Sequence, residues 1–181
     1  MRKIVGICFA IVLFAELPLA VGLAAPAGAA AGTVCKSFSG TATFTPALPK
    51  LGSGSKVRSV LSGTGSIGSC TGSVSGGTVR FVSSASAPEN CKIIATAPTA
   101  AIKATETISW AGAGSSTIGI KFTEVPGNPV TTQAIAGTVS AGVFKGAHEK
   151  GKVMYTPLNG GCTSTGLSRI AFQASGPITI K

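Results

Sequence analysis

Aspartate is absent from this 181-residue chain, and its five glutamates are scattered. A glycosidase works with two carboxyl groups flanking the scissile bond. None of Glu89, Glu106, Glu124 and Glu149 has a second carboxylate close by in sequence, so no such pair is expected. Histidine occurs once, at His148, with Glu149 beside it. Adjacent residues of a strand point to opposite faces, and no Gly-x-Ser-x-Gly elbow is present to hold a nucleophilic serine. There is one tryptophan, Trp110, and one tyrosine, Tyr155, too few for a sugar-stacking platform, and Trp110 ends an apolar face where a core residue is expected. No two cysteines are spaced Cys-x-x-Cys, which removes the usual zinc signature. The expectation is a protein that is not an enzyme, with no catalytic residue, no metal and no cofactor.

What the chain does contain begins with a leader. Met1-Arg2-Lys3 is a short basic start, Ile4 to Ala15 is apolar, and Ala27-Gly28-Ala29 fits a small-residue cleavage site. These are the three parts of a secretory signal peptide, assigned to residues 1–31. Glu16 and Pro18 interrupt the apolar run, which argues against an uncleaved anchor, so no transmembrane segment is expected after cleavage. Residues 32–181 are then one secreted domain, of a size that buries about 68–70% of the surface of its unfolded chain. Four cysteines fall within it, Cys35, Cys70, Cys91 and Cys162, an even number in an exported protein and most simply two disulfides. If a first strand starts at Cys35 and a second ends at Cys70, antiparallel pairing brings those ends together. Cys35 with Cys70 and Cys91 with Cys162 is therefore the expected connectivity, and the other two remain open.

Outside the leader no apolar spacing supports a helix. Ile102, Ala104, Ile108 and Trp110 alternate with Lys103, Thr105, Thr107 and Ser109, and Ile118, Ile120 and Phe122 alternate with Thr117, Lys121 and Thr123. That is the period of two half-buried strands, joined by a Gly-containing link into a hairpin. The same alternation recurs in Phe38, Gly40, Ala42 and Phe44 and in Lys150–Thr156; Lys56 to Ile67 is extended and ends at Cys70, and further strands are expected in Thr78–Val82, from Cys91 to Ala95, from Val130 to Val139, and at Ile170, Phe172, Ile178 and Ile180. Pro157 to Gly161 reads as a loop, and Val125-Pro126-Gly127-Asn128-Pro129 as a turn. Strand-sized runs separated by turn signals predict an all-β antiparallel two-sheet sandwich, immunoglobulin-like or related. Its core should include Phe44, Ile108, Trp110, Ile118, Ile120, Phe122, Val139 and Phe172. Glu106 falls on the apolar face of its strand; a bulge or a place near the sheet end would expose it, and an exposed strand residue is the expectation. Gly63-Thr64-Gly65-Ser66-Ile67-Gly68 matches the dinucleotide fingerprint in letters, but no helix former follows to hold a pyrophosphate. Those glycines fit bulges or close strand approach.

Several stretches together carry a resemblance: the opening near Cys35, Gly63 to Cys70, Thr107-Ile108-Ser109-Trp110 with its loop and Ser116-Thr117, Gly137 to Gly146, and the late Cys162. The chain resembles small secreted actinobacterial proteins, rich in Ala, Gly, Ser and Thr, with two disulfides and no established function. The resemblance implies a secreted β-sandwich and carries over no catalytic residue.

After the leader, thirteen Lys or Arg stand against four Glu. So basic a surface attracts polyanions, although lysines also blunt strand edges and keep a surface soluble. Lys145, Lys150 and Lys152 form the one cluster and are the candidate anion-binding patch. The function expected is a non-catalytic secreted or envelope-associated module binding anionic cell-surface polymers, with no specific nucleic acid. The alternative is a secreted carrier of a small apolar ligand, or a protease inhibitor using end loops. A shallow basic face would favour the first, and an enclosed apolar cavity the carrier.

Overall fold

The computed structural model describes residues 32–85, 88–91, 102–125 and 132–181. The expected leader at 1–31, most of the strand expected from Cys91 to Ala95 and most of the turn expected at 125–129 lie outside the described residues. Nine strands are present among them: β1 (Thr33–Leu48), β2 (Val60–Thr71), β3 (Gly76–Ser83), β4 (Ile102–Trp110), β5 (Gly114–Glu124), β6 (Thr132–Gly142), β7 (His148–Gly161), β8 (Gly166–Ala174) and β9 (Ile178–Ile180). Each strand from β1 to β7 pairs antiparallel with the next, and β8 returns to β1, with Ser39 opposite Gln173 and Thr43 opposite Arg169. The eight strands therefore close into a barrel, and β9 is a short extra strand bonded to the first residues of β1 and to Glu149 and Lys150 of β7.

This corrects the expected two-sheet sandwich. Period-two alternation states only that each strand has one buried face, and both architectures satisfy it. Closure rests on the β1–β8 pairing between chain segments more than a hundred residues apart, which no local pattern encodes. With eight strands the lumen is just wide enough for side chains to fill. The rings of Phe38, Phe81, Phe122 and Phe172 meet near one end, with centroids 5.3 to 5.7 Å apart in three pairs. Room for them comes from inward-facing glycines. A Cβ on Gly63 would lie 2.4 Å from the Phe81 ring, and one on Gly40 would lie 2.5 Å from that of Phe172. The letters of the dinucleotide fingerprint thus sit on β2, where Gly63 leaves space for a phenyl ring.

Trp110 lies near the other end, 5.5 Å from Phe144 in an edge-to-face contact, and its indole N–H donates to the Ser116 hydroxyl at 2.8 Å. Phe144 occupies the β6–β7 turn with φ of 64°, a left-handed conformation that an aromatic residue rarely adopts. All eight expected core residues are buried. Disulfides join Cys35 to Cys70 and Cys91 to Cys162. Cys35 and Cys70 are direct register partners at the ends of β1 and β2, as antiparallel pairing of those strand ends requires. The expected loop at Pro157 to Gly161 is instead the irregular last part of β7, whose ladder with β8 shifts register between Pro157 and Asn159. Proline, which cannot donate to a ladder, is tolerated at such an irregularity.

Candidate functional site

Glu106 is fully buried, and so is Glu149; no bulge turns Glu106 outward, which corrects its expected exposure. In β4 it keeps the period of its neighbours, between Phe81 of β3 and Ile118 of β5. Glu149 reaches the same interior from β7, flanked by Gly137 of β6 and Ile180 of β9. The two carboxyls, 43 residues apart in sequence, are brought together inside the barrel. As ionised groups neither has a hydrogen-bond partner, and no Lys, Arg or His is among the buried residues described. Burial raises Glu106 well above the usual carboxyl range, helped by the negative charge of Glu149. Burial also raises Glu149, to about 7. Both shifts have burial as their largest cause, and both favour the neutral form.

Carboxyls paired this way would suit acid–base chemistry if substrate could reach them. Both are fully buried, and neither lines the groove of Arg80 and Arg169, the groove of Lys150 and Lys152 or the small apolar gap beside Phe81 and Phe172. His148, next to Glu149, is exposed on the other face of β7, with its Nδ1 3.2 Å from the Thr138 hydroxyl. The small apolar gap bounded by Phe38, Leu61, Phe81, Phe122, Tyr155, Phe172 and their neighbours holds about 30 Å³, roughly the share of one water. Ligand pockets run to several hundred Å³. Trp110 and Tyr155 are both buried, so neither presents a ring face for stacking.

The outer wall has the opposite character. Hydroxyls and cations project from it, and the exposed large apolar side chains among the described residues are Val82 and Leu158. This is the reverse of the apolar band that a membrane barrel turns to lipid. Strand register sets the cations in rows. Lys103 of β4 stands directly opposite Lys121 of β5, and Ala136 and Lys150 continue the row on β6 and β7. Like charges directly opposite one another cost stability. Lys150 and Lys152 line a shallow groove with Gly151, Ser175, Gly176, Pro177 and Thr179, about 500 Å³ in volume. Lys145 is exposed in the β6–β7 turn and does not line that groove.

A second groove, of about 450 Å³, crosses β8, β1, β2 and β3 and contains Arg169 and Arg80. The alternating Ser and Thr face of β1 is legible in the sequence, but the register that places it between two arginines is not. No protein-family model, curated protein or solved structure matches the chain. What defines the molecule is therefore its own geometry: a closed, side-chain-filled antiparallel barrel with two disulfides, which fit an oxidising compartment.

Proposed function

We propose that this is a non-catalytic secreted or envelope-associated barrel that binds anionic cell-surface polymers through its outer wall. One observation carries the reading: the wall sorts charge by sign. Two of the four glutamates after the leader are sealed inside, while Lys103, Lys121, Lys150, Lys152, Arg80 and Arg169 are all exposed. Shallow grooves suit a chain laid across the surface, whereas a gap of about 30 Å³ offers a carried ligand no chamber. The resemblance to small secreted proteins and the basic leader support the same location.

Binding driven by neutralised charge and released counterions falls linearly in log–log form with salt. The wild-type domain should be retained on an immobilised polyphosphate column at low ionic strength and elute as salt rises. Changing Lys121, Lys150 and Lys152 to Gln should lower the salt slope, by about 0.7 to 0.9 for each phosphate left without its cation. No retention of the wild type at low salt would end this reading.

A further inference from the structure

We propose that the groove between Arg80 and Arg169 is the recognition site for the anionic groups of a phosphodiester-linked polyol chain. The inference rests on the polymer-binding reading and gives it a location and a ligand chemistry. The site is built by register across four strands. One row runs Arg169 of β8, Thr43 of β1, Ser62 of β2 and Val82 of β3. The adjacent row runs Ala171, Thr41, Thr64 and Arg80. The arginines thus stand at diagonal corners of a patch whose centre is a square of four hydroxyls, three interstrand steps or roughly 14 Å across.

Several features separate this patch from a merely solvated surface. Within the described residues, no ion pair or hydrogen bond occupies the side chains of Arg80, Arg169, Thr41, Thr43, Ser62 or Thr64. No carboxylate lines the groove, so nothing there competes for the guanidinium groups. The cations are two of the four arginines in the chain, where lysine is far commoner. A guanidinium presents a planar fork of donors that meets two phosphate oxygens at once, which an ammonium cannot do. Behind the square, the Phe81 ring sits against the inner side of Gly63, so a buried aromatic ring backs the floor. The ligand this chemistry fits repeats an anionic group with hydroxyl-bearing links between. The guanidiniums take the phosphates, and the Thr and Ser hydroxyls bond to phosphate oxygens or to the polyol.

The test uses Arg80→Lys/Arg169→Lys, which keeps net charge and removes the forks. Both side chains are exposed, so the variant should unfold at the wild-type midpoint. Affinity for a glycerol-phosphate oligomer is measured by calorimetry, beside an oligogalacturonate of matched charge, with amide shifts followed by NMR. The expected result is at least about a tenfold loss for the glycerol-phosphate oligomer in the double variant, with wild-type shifts centred on Thr41, Thr43, Ser62 and Thr64. Wild-type affinity in the Lys variant, or shifts centred on β7, would overturn this site and leave general polymer binding standing. Equal affinity for the oligogalacturonate would overturn the phosphodiester assignment. A wild type that bound neither oligomer nor the polyphosphate column would overturn both the site and the broader reading.

Discussion

Inside the barrel two carboxyls face each other with no cation among the described buried residues; outside, lysines stand opposite lysines. Both regions hold like charges close together, yet the physical consequences differ by an order of magnitude. In the lumen burial disfavours the ionised form, and the cost of holding the pair there appears as raised pKa values. On the wall water and salt screen the repulsion, and a lysine pair survives at a cost of a few tenths of a kcal/mol. The difference teaches where each kind of group can serve. The interior carboxyls govern stability, and the exterior cations are free to meet a partner.

The interior should respond most strongly to loss of packing. Trp110 is buried against Phe144 and bonded to Ser116, so Trp110→Ala should cost about 3–5 kcal/mol. The shift of the urea midpoint measures it, and an unchanged midpoint would mean that the barrel end around Trp110 does not hold the lumen closed.

Titration of the interior comes next in size. A carboxyl raised by folding keeps its proton when the unfolded chain has lost it. Its contribution is fully present below the unfolded value near 4.5 and is lost as pH rises to the folded value, about 7 for Glu149. The protein should therefore be more stable at acid than at neutral pH, by on the order of 3 kcal/mol across that window. Replacing Glu106 and Glu149 together by Gln should flatten the dependence. Denaturation midpoints that are level from pH 4.5 to 7.5 in the wild type would show that water reaches the pair and that the contrast with the wall is false.

The smallest effect belongs to the wall. Lys103→Thr relieves the repulsion with Lys121 across β4 and β5 and should raise stability by about 0.2–1 kcal/mol, read from the thermal midpoint at low salt and shrinking as salt rises. A loss of several kcal/mol instead would mean that Lys103 packs as part of the structure.

Much of this is legible in the chain, and particular residues show why. Ile118, Ile120 and Phe122 alternate with polar neighbours, so their burial follows from pleat geometry alone. Cys35 and Cys70 can be paired because they end consecutive antiparallel strands. Glu106 defeats a reading from sequence because a carboxyl on an apolar face is too costly to expect by itself. What makes it tolerable is Glu149, whose approach across the barrel has no signature at a separation of 43 residues. Pro157 reads as a loop because the bulged pairing that tolerates it depends on β8.

The amino-acid order determines by itself the strands, their inward faces, the even set of cysteines and the excess of positive charge, since each arises from covalent geometry or from residues near one another in the chain. Tertiary structure alone decided that the sheet closes, that two distant glutamates are buried together inside it, and that Arg80 and Arg169 frame four hydroxyls. Those depend on register between strands far apart in sequence. A shift of one residue there would turn every side chain to the other face of the wall.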